Sequence, residues 1–395
     1  MSTQPFGRHM LEHWCLDPAI VYLNHGTVGV PPRRVLQAQQ RLRDEMERQP
    51  SRFLLRELSA IVVGSGPLPK PRIRAAADAV AGFLGARGDD LVFVDNATAG
   101  VNAVLRSLDL RPGDEILLLE GCYGAVLNTA RYVARERGGT FRTVALPEPL
   151  PERGAVAGLI ASDVGPRTRV VVMDHIMSES ALLLPLSEIA AACRARGASV
   201  LVDGAHAPGA IPLDIPSLGV DWYTGNLHKW AQAPHTSGIL WAAPERQPGL
   251  HPVVISWGLD QGFTTEFDLV GTRDPTAHLA APEGLAFMRD LGVEEMQAYN
   301  HALAWESARL LSSRLGTPIG RDESWVGTMV TIPLPDRAGS TVEEAGRLRD
   351  ALLFEDRIEV QLHAARGRLW VRVCAQVYND IRDVERLADA LAARL

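Results

Sequence analysis

Lysine is what this chain has least of. Of its 40 basic residues only Lys70 and Lys229 are lysines, which leaves 38 arginines. A guanidinium keeps its proton inside a protein, whereas a lysine amine can lose one and attack a carbonyl to form a Schiff base. A chain that writes its cations as arginine has nevertheless placed a lysine in Tyr223-Thr224-Gly225-Asn226-Leu227-His228-Lys229-Trp230. Cysteine is also scarce: Cys15, Cys122, Cys193 and Cys374 are scattered, with no Cys-x-x-Cys pair. That argues against a disulfide framework or a zinc site and predicts free thiols in a reducing compartment. Basic charge is not in excess, the net being -7, which argues against a nucleic-acid partner. No apolar run reaches the ~18 residues of a membrane helix, Ala181-Leu182-Leu183-Leu184 being far too short. The first ten residues are polar and lack a signal-peptide core. These scarcities together predict a cytoplasmic protein with a small-molecule partner and no membrane partner.

With 395 residues, 46% of them hydrophobic and 22% charged, the chain can build two or three domains with sizeable cores. Residues 1–20 read as a lead-in. Helices are expected at 33–48, 74–84, 98–108, 123–137 and 186–196, with strands at 91–94, 115–119, 141–146, 169–174, 199–203, 222–224 and 238–241. Such alternation predicts an α/β fold with a mostly parallel sheet covered on both faces, its ligands lying beyond the carboxyl ends of the strands. After residue 274 the pattern changes to helices at 277–291 and 292–315 and strands near 328–332 and 369–374. The expected organisation is a large domain over 21–274 and a smaller α+β domain over 275–395. Gly64-Ser65-Gly66-Pro67-Leu68-Pro69-Lys70-Pro71 resembles the start of a phosphate loop. Pro69 stands where a third glycine belongs, however, and no strand-to-helix frame surrounds it, so a dinucleotide fingerprint is rejected. Lys70, between two prolines, is expected to be exposed.

The chemistry gathers around Lys229. Asp203-Gly204-Ala205-His206-Ala207-Pro208-Gly209 ends a strand on a carboxylate, which can anchor a protonated ring nitrogen, and the small residues after it let a flat ring approach. A Schiff-base lysine and an acidic ring-nitrogen partner are what pyridoxal 5'-phosphate requires. Ala97-Thr98-Ala99-Gly100 lies at a strand-to-helix junction suited to an anion. Tyr123 opens the next helix, where its ring can stack on the cofactor.

Asn96-Ala97-Thr98, residues 175–185, the segment from Val202 to Gly209 and His228-Lys229-Trp230 resemble class V aminotransferase-fold enzymes. Asn24-His25-Gly26 and Phe53-Leu54-Leu55-Arg56-Glu57 are most similar to the isopenicillin N epimerase-like branch. The resemblance implies a fold-type I, pyridoxal-phosphate-dependent enzyme. It implies Lys229 as the cofactor-linked lysine, Asp203 as the ring-nitrogen partner, Tyr123 stacked on the ring, and His206 and Ser178 near the phenolic oxygen. Ala97, Thr98 and His228 would hold the phosphate. Thr272 would reach the phosphate of a second subunit, which implies a homodimer with shared active sites. Arg372 would clamp the substrate carboxylate, with Asn24 and His25 beside the substrate.

Related cysteine desulfurases carry a nucleophilic cysteine ahead of the carboxylate-binding arginine, and residues 361–368 here are short and contain none. A persulfide-forming desulfurase is therefore disfavoured. His235 stands where relatives often carry Lys or Thr. The expected reaction removes the α-proton of an amino acid, or of a peptide with a free α-amino group. Return of a proton from the opposite face, with Tyr123 or His25 as the second acid, gives epimerisation. A C–S lyase or an aminotransferase is the alternative on the same scaffold, and a non-catalytic binding protein is disfavoured by the presence of Lys229 and Asp203.

Overall fold

The computed structural model describes residues 6–59 and 68–395. Gly64, Ser65, Gly66 and Pro67 of the rejected phosphate loop lie outside the described residues, as do residues 1–5 of the polar start. The chain enters through β1 (Val21–Tyr22). Seven strands then build the main sheet: β2 (Leu91–Val94), β3 (Glu115–Leu119), β4 (Thr140–Val144), β5 (Thr168–Asp174), β6 (Ser199–Asp203), β7 (Trp222–Asn226) and β8 (Gly238–Ala242). Their order is β2-β8-β7-β6-β5-β3-β4, and β8 alone runs against the others.

Burial on both sides explains why these strands are continuous apolar runs rather than alternating ones. Leu117, Leu119, Val171, Met173, Val200 and Val202 meet Ile73, Val80, Ile160 and Ile189 of the helices Arg72–Phe83, Val156–Ser162 and Leu186–Ala195. The intervening Ile116, Leu118, Val170, Val172 and Leu201 face Val101, Val104, Val126 and Val133 of the helices Ala97–Ser107 and Gly124–Glu136. Each such side chain taken from water contributes about 1.5–3 kcal/mol. The parallel arrangement carries the carboxyl ends of β3, β5, β6 and β7 to one edge, and β2, codirectional with them, adds its own.

A second sheet, β11 (Gln361–Ala365), β12 (Arg368–Cys374) and β9 (Met329–Pro333), is antiparallel in that order. It packs with the helices Val293–Leu315 and Ile381–Arg394. β1 does not join the main sheet; it pairs in parallel with β10 (Ile358–Glu359). The lead-in is also built into the structure. Phe6, Met10 and Trp14 share a cluster with Phe287, Met288, Met296 and Tyr378, and the Trp14 ring sits edge-on to Tyr378 at 5.0 Å. Lys70 is exposed, as expected, and pairs with Asp78.

Candidate active site

Lys229 lies just past the end of β7, with its Nζ in hydrogen-bond contact with His206 Nε2 at 3.2 Å. The other ring nitrogen of His206, Nδ1, is buried without a partner among the described residues. Burial, and next the Arg372 cation, push the Lys229 amine down from 10.5 to about 8; Asp203 opposes them. Burial likewise lowers His206 well below the ordinary histidine range, with help from Lys229 and Arg372.

Asp203 closes β6 and is 3% exposed. Its Oδ1 accepts the Ala205 amide at 3.0 Å. Burial raises its carboxyl, against the pull of the Ala205 amide and Lys229. Directly across the parallel ladder stands Asp174, the last residue of β5. Burial and the neighbouring Asp203 push Asp174 well up, and the Tyr123 amide partly offsets them. Tyr123 is thereby tied to the carboxylate pair through its backbone, while the residue as a whole is 48% exposed.

The helix Ala97–Ser107 begins at the same edge. Asn96 caps it by accepting the Ala99 amide at 2.9 Å. The Ala97 amide donates to Asn226 Oδ1 at 2.8 Å, so it is engaged within the chain, and the Thr98 amide and hydroxyl are the first-turn donors an anion would meet. His228 uses Nδ1 on the Ser237 carbonyl at 3.0 Å, and burial lowers it to about 4. A phosphate would meet only its protonated Nε2, a form that an adjacent anion favours. Thr272 is exposed, and the next residue, Arg273, pairs with Asp95 at 2.6 Å.

Arg372 projects from β12 and is 2% exposed. Its Nη2 donates to Thr27 Oγ1 at 2.7 Å and its Nη1 to the Ser178 carbonyl, while its Nε has no partner among the described residues. Asn24 and His25 take a different part from the one expected. His25 donates from Nε2 to the Lys229 carbonyl at 2.9 Å, and its Nδ1 accepts from the Tyr378 hydroxyl at 2.9 Å. Asn24 is held by Glu359 at 2.6 Å and by the Thr27 hydroxyl. With both ring nitrogens engaged within the chain, His25 braces the Lys229 backbone. Gly29 adds to that bracing: it has φ 74°, and a Cβ there would fall 1.7 Å from the His228 carbonyl oxygen. His235 meets the Gly29 carbonyl at 3.2 Å.

Cys122 is pushed up to about 12 by burial, and Cys374 is buried in β12. Arg366 and Gly367 form a two-residue turn between β11 and β12, at φ 51° and 73°. That is the tight geometry twisted hairpins favour, and it leaves no mobile loop to carry a sulfur nucleophile.

A buried neutralisable lysine, a buried carboxylate with a single hydrogen bond, an open aromatic ring and a helix N-terminus suit a planar aldehyde bearing a ring nitrogen and a phosphate. Fold and site together define a pyridoxal-phosphate-dependent enzyme of fold type I. The aminotransferase class-V family matches residues 68–345, and the chain belongs to it. The isopenicillin N epimerase of Streptomyces clavuligerus is 33% identical over 96% of each chain. A putative L-cysteine desulfhydrase of Oryza sativa subsp. japonica is 31% identical over 95% of this chain and 83% of that one. A solved cystine C–S lyase in complex with cysteine persulfide superposes with TM-score 0.78 at 23% identity, over 94% of this chain and 97% of that one. That likeness concerns the fold. Among the described residues no helix is long and apolar enough to cross a membrane, and no group of three or more His, Cys, Asp or Glu is placed to hold a metal ion.

Proposed function

We propose that the enzyme acts at the α-carbon of an amino acid, or of a peptide with a free α-amino group, and inverts it. The observation that carries this reading is the Lys229 amine, brought down to about 8 beside His206. Pyridoxal phosphate, when bound, supplies an electron sink that acidifies the α-C–H of an attached amine. Asp203 would hold the ring nitrogen in its protonated form, and the Thr98 amide and hydroxyl, with His228, would hold the phosphate. Tyr123 would stack on the ring, with Ser178 and His206 beside it. Arg372 fixes the α-carboxylate, its free Nε adding to the charge-assisted contact. Lys229, neutral in a cationic and partly dry site, takes the α-proton. With His25 engaged on both nitrogens, the Tyr123 hydroxyl is the remaining candidate to return a proton on the other face.

Loss of a β-substituent after the same proton transfer would make the enzyme a lyase, a reading favoured by the desulfhydrase relatives of similar identity. Incubating the enzyme with an amino-acid panel in deuterium oxide separates the two. Deuterium at Cα with inversion and no net loss supports epimerisation, whereas stoichiometric keto acid with ammonia, or sulfide, rejects it in favour of the lyase. We also propose a homodimer in which Thr272 reaches the second copy's site. It is supported by the exposed apolar run of Val253, Val254, Ile255 and Trp257, the last 80% exposed. Sedimentation as a monomer with full activity would refute the dimer.

A further inference from the structure

A cavity of about 360 Å³ lies beside the Arg372 clamp, between the loops that follow β3 and β5 and the three-stranded sheet. We propose that it is the pocket for the substrate's side chain, and that it selects an anionic group, a second carboxylate, through Arg321. The inference rests on the reading of the enzyme as acting on an amino acid held at Arg372.

Arg321 and Arg372 grip the same loop two residues apart: Arg321 Nη1 donates to the Ser180 carbonyl and Arg372 Nη1 to that of Ser178. Arg321 Nη2 also meets the carbonyl of Thr331, the residue paired with Arg372 across the sheet, at 3.0 Å. Both guanidinium contacts are to neutral carbonyls, and Arg321 has no carboxylate partner among the described residues. Burial, followed by the like charge of Arg366, pushes Arg321 down from its ordinary value to about 10. A cation withdrawn from water without a counter-ion is costly, and an incoming carboxylate removes that cost.

Three further features give the cavity the same preference. Arg321, His363 and Ser180 line it, and the Arg321 Nε, the His363 Nε2 and the Ser180 Oγ are buried behind its wall without a partner among the described residues. Each can donate to an oxygen anion, His363 as the Nε2–H tautomer of a ring held neutral by burial and by Arg372. The carboxylates that line the cavity do not satisfy Arg321. Glu148 acts on Arg321 only at a distance and is paired with Arg366 at 2.8 Å; Glu120 is exposed, and Glu179, an exposed residue whose carboxyl burial pushes up, feels Arg372 rather than Arg321.

The test is ligand binding to the cofactor-loaded enzyme, read from the change in its visible absorbance. The probes are L-aspartate, L-glutamate and L-2-aminoadipate, against L-asparagine, L-glutamine and L-norleucine. A charge-assisted contact predicts at least one acidic ligand binding about tenfold or more tighter than its neutral counterpart. Arg321→Gln should erase that preference and leave the neutral ligands unchanged, which also reports that the variant is folded. Equal wild-type affinities for the two sets overturn the inference whatever the variant does, and so does a preference that survives Arg321→Gln. Failure of the wild type to develop a visible band on loading overturns the underlying reading instead, and the inference falls with it.

Discussion

The lysine economy of this chain makes the ionisation of Lys229 directly measurable. In the cofactor-free protein its midpoint should lie at about 8 rather than 10.5. At pH 7 an amine with that midpoint is neutral about a tenth of the time, roughly 300-fold more than an ordinary lysine. Lys70→Arg leaves Lys229 as the single ε-amine. Competitive acylation across pH 6 to 11, followed by mass spectrometry of the Lys229 peptide, gives the midpoint. The sign of the stability effect follows from the same numbers. Between 8 and 10.5 the unfolded chain binds the proton and the folded chain does not, so the lysine's contribution to stability rises with pH through that window. The ceiling is about 3 kcal/mol, at about 1.4 kcal/mol per pH unit. Urea unfolding of wild type and Lys229→Met, compared at pH 7.5 and 10.5, reads the difference. A labelling midpoint at or above about 10, where an unperturbed lysine titrates, would refute the claim that burial and Arg372 prepare this amine.

Asp203→Asn keeps the shape and removes the buried charge; breaking such a pair costs about 3–5 kcal/mol, so cofactor affinity, titrated by absorbance, should fall by two orders of magnitude or more. Arg372→Lys keeps a cation but loses the planar fork, and KM for an amino acid should rise about tenfold or more with a smaller change in kcat; steady-state kinetics decides. Trp14→Ala should lose about 3–5 kcal/mol in urea unfolding, because Trp14 is fully buried against Phe287 and Tyr378. A change under about 1 kcal/mol, typical of an exposed site, would mean that the lead-in is not part of the packed structure.

What could be read from the residues, and what could not, follows from how local each signal is. The strand Leu91–Val94 and the helix Arg33–Arg48 fall where expected, since a buried apolar run and a 3.6-residue period are written in neighbouring residues. The pairing of β1 with β10, more than 330 residues away, has no local trace. Lys229 and Asp203 stood out by rarity and by position at a strand end. Asp174 shares that second mark, ending β5 as Asp203 ends β6, so the signal was available. Arg321 gave none: among 38 arginines, only the tertiary packing that strips its partners sets it apart. Ala97, expected to meet a phosphate, has its amide taken by Asn226, and His25 is spent on Tyr378 and Lys229. Hydrogen-bond bookkeeping of that kind exists only once the chain is folded.

The central claim is that Lys229 carries the cofactor, and borohydride reduction of the loaded enzyme tests it most directly. After digestion, the added cofactor mass should sit on the peptide containing Lys229, and Lys229→Ala should carry none. Cofactor mass on Lys70, or a wild type that takes up none, would contradict the account.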